Sequence, residues 1–310
     1  MTGSFDRTLL RGLIQLVRPR HWIKNAVVFI PVIFGRRMND IEAWTLAGST
    51  AIAFCLASAI SYIVNDIKDC NSDLAHPLKR SRPLASGAVS IKAAGIEAGV
   101  FLVILAAMAP VLPVIVLVMI GIFLVLQISY TMFLKHLALI DVICIALGFV
   151  LRAGSGVAAI KGEVSPWLFI CMFTICLFMG FCKRYNEVVT IEDSEAARNH
   201  RPTLIEYTPE LLTHLITLSA GIAVISFLLY GLSESTIHRF GSNYFVYTLP
   251  VVVYGVFRFA MLSMKGSYAD PMGIFLNDRP FQITVIIWIA AALVIILYGR
   301  SLGGWLQSLY

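Results

Sequence analysis

Residues 61–73 read Ser61-Tyr62-Ile63-Val64-Asn65-Asp66-Ile67-Lys68-Asp69-Cys70-Asn71-Ser72-Asp73, and they close an apolar run that begins near residue 44. A helix turns about 100° per residue, so Asn65, Asp69, Asp73 and Asp66 fall at about 0°, 40°, 80° and 100°. All four side chains share one side. Like charges so placed repel and weaken a helix, so a cation should offset them. Oxygen-only ligands suit a hard ion such as Mg2+, which binds through a few carboxylates, keeps waters and takes substrate phosphates. The plain alternative is an acidic, solvated helix end. Against it, ionisable groups that close a membrane-length apolar run are functional by default.

Downstream stands His76-Pro77-Leu78-Lys79-Arg80-Ser81-Arg82-Pro83. Lys79, Arg80 and Arg82 follow the acids within about ten residues. A metal-bridged diphosphate needs both kinds of group: carboxylates on the metal and cations on the outer oxygens. Basic loops on the cytoplasmic side of a membrane also arise from topology alone. That rule accounts for the cations but not for their closeness to the acids. Pro77 and Pro83 keep the loop from continuing the helix.

The rest of the chain supplies the membrane. Of 310 residues, 58% are hydrophobic and 14% charged, against about 25% charged in an ordinary soluble domain. Nine apolar stretches approach the length of a span. They are roughly 21–37, 44–66, 92–109, 112–133, 138–159, 165–188, 211–232, 243–262 and 281–301, in one integral membrane domain over 1–310. The first is the weakest, flanked by Arg20 and Lys24 and interrupted by Pro31. Ala109-Pro110-Val111-Leu112-Pro113 predicts a tight non-helical turn. With the N-terminus inside, 18 of the 24 Lys and Arg residues lie on cytoplasmic segments and five on the outer side, with Arg152 inside a span. The bias predicts a cytoplasmic N-terminus and explains the net charge of +6 without a nucleic-acid partner. The first twenty residues carry Asp6, Arg7, Arg11, Arg18 and Arg20, which is not the pattern of a signal peptide. The six cysteines form no CxxC pair and read as buried thiols. No alternating strand–helix pattern appears, which sets aside a soluble α/β fold.

Asn65-Asp66-x-x-Asp69-x-x-x-Asp73, followed by the basic proline-bearing loop, resembles the first signature of the UbiA-type intramembrane prenyltransferases. The resemblance implies an all-α polytopic bundle of about nine transmembrane helices around a polar central cavity. It extends over essentially the whole chain. A second acidic motif is expected after the sixth span, where this chain has Lys183-Arg184-Tyr185-Asn186-Glu187. Lys183, Glu187 and Arg184 fall at about 0°, 40° and 100° on a helix, one carboxylate with two cations. Glu192, Asp193 and Glu195 read as a solvated loop. This departure resembles the decaprenyl-phosphate phosphoribosyltransferase branch. So do Arg18-Pro19-Arg20-His21-Trp22-Ile23-Lys24-Asn25, Ser129-Tyr130-Thr131, Leu134-Lys135, Phe149-Val150-Leu151-Arg152-Ala153-Gly154, and Arg258 with Asp278-Arg279.

The branch resemblance implies transfer of 5-phosphoribosyl from 5-phosphoribosyl 1-diphosphate to a polyprenyl phosphate at the cytoplasmic face of a bacterial inner membrane. Asp66, Asp69 and Asp73 would hold Mg2+ and, with Glu187, serve the reaction. Lys24, Asn65, Lys79, Arg80, Arg82, Tyr130, Lys135, Arg152, Lys183, Arg184 and Arg201 are the candidate substrate-binding residues. Arg152 also stands on physics: an arginine at mid-membrane costs about 2.5–3.5 kcal/mol on insertion scales. It should therefore meet either an anionic substrate or a structural partner such as Asp141. Homo-oligomerisation is left open. A prenyl-diphosphate enzyme acting on a small acceptor shares the first motif, and the Lys183–Glu187 segment argues against it. A transporter is compatible with nine spans, but the acid–base juxtaposition fits diphosphate chemistry better.

Overall fold

The structure, a computed structural model, describes residues 2–75, 79–163, 165–191, 202–268 and 271–307. Among the described residues every regular element is helical. Helix α1 (Thr2–Val17) leads into a 3-10 segment (Pro19–Phe29) and a short helix α2 (Ile30–Phe34). Then come α3 (Ile41–Ala75), α4 (Ile91–Ala107), α5 (Val114–Met132), α6 (Ile140–Ala159) and α7 (Pro166–Ile191). The chain continues as α8 (Pro209–Leu232), α9 (Glu234–Phe240), α10 (Leu249–Met264), α11 (Pro271–Asn277) and α12 (Arg279–Gln307).

Among the described residues, eight helical stretches are long and apolar enough to cross a membrane, and they match the eight predicted spans after the first. The protein is an integral membrane protein. The first predicted span, 21–37, is corrected: it forms the 3-10 segment and α2 instead. Pro31 explains the break. Its ring collides with the carbonyl four residues back, which bars a continuous α-helix through that point. The α-helical register therefore restarts at Ile30, where a proline in the first turn is tolerated. The predicted non-helical turn at 109–113 is corrected too: Ala109–Val111 make one 3-10 turn, and extended Pro113 precedes α5.

The chain divides into two units. The first comprises 1–33, 40–144 and 151–162. Here α3 packs on α4, α5 and the 3-10 segment. Its inner side is built from small residues, with Ala43, Ala47, Ala53 and Ala57 fully buried. Lipid is as apolar as leucine, so close backbone approach and dispersion hold such helices together rather than expulsion of water. Phe54 and Phe123 fill the centre edge to face at 5.3 Å. Outward-facing Val103 on α4 and Val125 on α5 are exposed, as expected of lipid contacts.

The second unit comprises 34–39, 145–150 and 163–310. Helix α7 runs along α8, and α10 packs on both α7 and α12. Phe34, Phe227, Tyr230, Phe240, Phe245 and Trp288 form a contiguous aromatic cluster.

Candidate active site

The carboxylates lie on the C-terminal part of α3, as the pattern predicts, and each is met by a cation from another element. Asp66 is buried and accepts bonds from Arg18, at the end of α1, and from Arg82 at 3.3 Å. The Asn65 side chain also bonds to it. The same Arg82 nitrogen donates to buried Asp73 at 2.7 Å. Lys135, in the 3-10 turn Leu134–His136, donates to Asp69 at 2.6 Å. Three acids on one helix are thus neutralised by three cations from separate segments of the first unit.

Local structure explains how those cations arrive. The loop that carries Arg82 winds back through bonds from Arg82 N to Lys79 O, Ser86 N to Arg82 O and Val89 N to Pro83 O. Gly87, at φ 75°, turns it through the left-handed region. Leu84 and Val89 are buried against Leu16 and Ile63, which anchors the loop to α1 and α3. Ser90 then caps α4, its hydroxyl accepting from Ala93 N at 3.1 Å. Gly12 sits so close to Val89 that a Cβ there would lie 2.5 Å from a Val89 methyl. Helix α1 is therefore seated directly on the basic loop.

Arg18 carries the clearest backbone signal. It adopts φ 51° and ψ 61°, left-handed, immediately before Pro19. A residue before proline prefers extended backbone, and a non-glycine residue in the left-handed region costs on the order of 1–3 kcal/mol. The conformation bends the chain between α1 and the 3-10 segment. The guanidinium lies 5.1 Å over the ring of Tyr62, one turn before Asp66.

Arg152 is buried on α6. Its Nε donates to Asn25 Oδ1 at 2.7 Å, and a terminal nitrogen donates to Ser58 Oγ at 3.3 Å. The guanidinium also lies 4.5 Å over Phe123 and 5.9 Å over Phe54. Asn25 in turn donates to Cys55 Sγ at 3.2 Å. Ser58 precedes Asp66 by two turns, about 12 Å along the helix, so Arg152 stands away from the carboxylates. These bonds favour a bracing role, tying the 3-10 segment to α3 and α6. Gly156, one turn further on, lets the backbone at Val28 approach α6.

In the second unit, buried Arg184 donates to Glu187 one turn later on α7. Lys183 is half-buried beside them. Asn186 donates to the Tyr268 carbonyl at 3.3 Å, and its own amide oxygen is buried without a hydrogen-bond partner among the described residues. Asp278 takes both Arg258 donors, at 2.7 and 2.8 Å, and accepts from Phe281 N at the start of α12. The Arg258 guanidinium holds the Asp278 carboxyl below the usual carboxylate range.

Of the predicted residues, Asn65, Asp66, Asp69, Asp73, Arg82 and Lys135 come together in the first unit. Lys24, Lys79 and Tyr130 are half-buried, and Arg80 is exposed. Arg201 and the acidic run 192–195 lie outside the described residues. The sequence reading missed Arg18 and Tyr62 as parts of the carboxylate cluster. Arg18 is 48 positions from Asp66, beyond any helical spacing rule. Its one local signal was an arginine directly before a proline.

The donor set fits Mg2+ in kind. Among the described residues, no three His, Cys, Asp or Glu side chains gather closely enough to hold an ion by themselves. Asp66 and Asp73 are seven residues apart, about 10 Å of helix rise. Mg2+ seldom needs a protein cage: one or two carboxylates, waters and substrate phosphates complete its shell. Oxygen donors on one helix face, with cations beside them, have that character.

Residues 28–277 match the UbiA prenyltransferase family. Among curated proteins, the decaprenyl-phosphate phosphoribosyltransferase of Mycolicibacterium smegmatis is 31% identical over 298 residues, covering 93% of each chain. The protein of the same name from Mycobacterium tuberculosis is 32% identical, over 94% of this chain and 96% of its own. Among solved structures, a UbiA homolog from Archaeoglobus fulgidus bound to DMAPP and Mg2+ superposes with a TM-score of 0.67 at 18% identity. That match covers 92% of this chain and 98% of the archaeal one, and it establishes the fold.

Proposed function

Because the chain belongs to the UbiA prenyltransferase family, we propose that it transfers 5-phosphoribosyl from 5-phosphoribosyl 1-diphosphate to a polyprenyl phosphate, releasing diphosphate. The observation that carries this reading is the cluster on α3. Arg18, Arg82 and Lys135 come from three segments to meet Asp66, Asp69 and Asp73. Matched acids and cations suit a ligand that brings a metal and phosphates together. The names of the curated relatives favour a phosphoribosyl donor over a prenyl one.

In this reading Asp66, Asp69 and Asp73 hold Mg2+, which when bound neutralises charge on the departing diphosphate. Arg82 and Lys135, with Lys79 and Arg80, bind phosphate oxygens. Lys183 and Arg184 serve the sugar 5-phosphate, and Glu187 serves a ribose hydroxyl. Lys24, Tyr130 and Arg201 complete the substrate-binding set. A phosphate oxygen of the acceptor bonds to the anomeric carbon, while the bond from that carbon to diphosphate breaks and diphosphate leaves with the electron pair. The acceptor phosphate is anionic near neutral pH, so no strong general base is needed. The positive-inside bias supports a site on the cytoplasmic face, and the bacterial relatives support the inner membrane.

The test is incubation of membranes containing the protein with ribose-labelled 5-phosphoribosyl 1-diphosphate and decaprenyl phosphate. Label is expected in the lipid fraction only with a divalent cation present. Unlabelled lipid alongside turnover of a prenyl diphosphate would refute the proposal.

A further inference from the structure

Four ion pairs, made by three cations, occupy the carboxylates that the proposed function assigns to the metal, and the following rests on that assignment. Asp66 is held by Arg18 and Arg82, Asp73 by Arg82, and Asp69 by Lys135. Two of these acids are almost wholly buried, while the Arg18 and Arg82 side chains keep roughly a quarter of their surface exposed. A divalent ion placed on these oxygens meets cations already there, and like charges at that distance repel. Stripping the cations away with nothing to receive them leaves positive charge unpaired beside the ion. A diphosphate removes the conflict, because its outer oxygens accept the displaced guanidinium and ammonium groups.

We infer that Arg18 is a further substrate-binding residue, and that it works by exchange. It neutralises Asp66 while the site holds no donor and passes to the diphosphate when metal and donor enter together. Lys135 does the same at Asp69. Arg18 is built for such a transfer. Its guanidinium rests on the Tyr62 ring, a surface on which a planar cation can shift without losing its apolar contact. Its left-handed backbone fixes where the side chain starts. Metal and diphosphate therefore bind as a coupled pair, each promoting the other.

The exchange requires one substitution to move two affinities in opposite directions. In purified full-length protein, Mn2+ binding without diphosphate is measured by electron paramagnetic resonance of the free ion. Binding of labelled inorganic diphosphate is measured at saturating Mn2+. Arg18→Gln is expected to tighten Mn2+ binding and to weaken diphosphate binding, each by about five- to tenfold, the lower range of measured site couplings. A residue with a merely structural role would weaken both. Shifts of the same sign, or none, overturn the inference. Wild-type protein that binds neither Mn2+ nor diphosphate overturns the metal–diphosphate reading beneath it. Should Arg18→Gln fail to purify as folded protein, Lys135→Gln tests the same exchange at Asp69: opposed shifts support it and same-sign shifts overturn it.

Discussion

Gly156→Ala tests how tightly the first unit is built around its site. A Cβ at Gly156 would stand 2.2 Å from the Val28 carbonyl oxygen, 3.0 Å from the carbonyl carbon and 3.2 Å from Pro31 Cγ. Carbon meets a carbonyl oxygen comfortably at about 3.3 Å, so α6 and the 3-10 segment must part by about 1 Å. The obstacle is backbone, which cannot swing aside as a side chain can. Overpacking of this kind costs about 1–3 kcal/mol, while replacing a helical glycine by alanine returns about 1 kcal/mol. The net expectation is a loss of up to about 2 kcal/mol, or a melting-temperature drop of up to about 3 °C for a chain of this length. The 3-10 segment carries Asn25, the partner of Arg152, and begins just after Arg18. A shift of about 1 Å in such a support can lower turnover by about a hundredfold. Gly48→Ala and Gly121→Ala are the controls, since a Cβ at either position meets nothing within 4 Å. Thermal unfolding in detergent, paired with phosphoribosyl transfer, reads both effects. If Gly156→Ala melts and turns over like the controls, the close approach of α6 to Val28 is wrong.

Further substitutions probe the two units separately. Asp69→Asn and Asp73→Asn should abolish transfer while the protein still elutes as a folded species; near-normal activity in either would remove the metal assignment. Glu187→Gln leaves buried Arg184 without a carboxylate one turn away, and Glu187 is partly exposed, so a stability loss of about 1–3 kcal/mol is expected. A raised KM for the donor should accompany it, and an unchanged KM would remove Glu187 from the donor site. Asp278 is held ionised by Arg258, so its folded pKa lies below its unfolded one. That pair stabilises fully above the unfolded value, near pH 4, and its contribution fades as pH falls through the lower folded value. Asp278→Asn should therefore lower the melting temperature at neutral pH and narrow its difference from wild type below about pH 4. A difference that stays constant with pH would refute the pair's contribution.

The legibility of the sequence followed the range of the signal. Eight spans were readable because each is a local, uninterrupted apolar run; their boundaries moved by only a few residues, except that the helix carrying the acids runs on from the predicted end at 66 to Ala75. The first was not, because Pro31 acts on the carbonyl four residues earlier and hydropathy does not register that collision. The shared face of Asp66, Asp69 and Asp73 followed from helix periodicity alone. Their cations were only half visible. Arg82 lies close in sequence and Lys135 was marked by resemblance. Arg18 reaches Asp66 only because α1 is seated on the Val89 loop through Gly12. For Arg152, the cost of burying an arginine correctly demanded partners, yet Asn25, Ser58 and two phenylalanine rings are neutral groups that no charge pattern reveals.

The transfer reaction itself is tested most directly by the mass of its lipid product. Purified protein with Mg2+ is offered decaprenyl phosphate and a small aromatic acceptor, together with equal amounts of 5-phosphoribosyl 1-diphosphate and a prenyl diphosphate. The expected product is decaprenyl phosphate heavier by one phosphoribosyl group, absent with Asp73→Asn. A prenylated acceptor, with the decaprenyl phosphate unchanged, would contradict it.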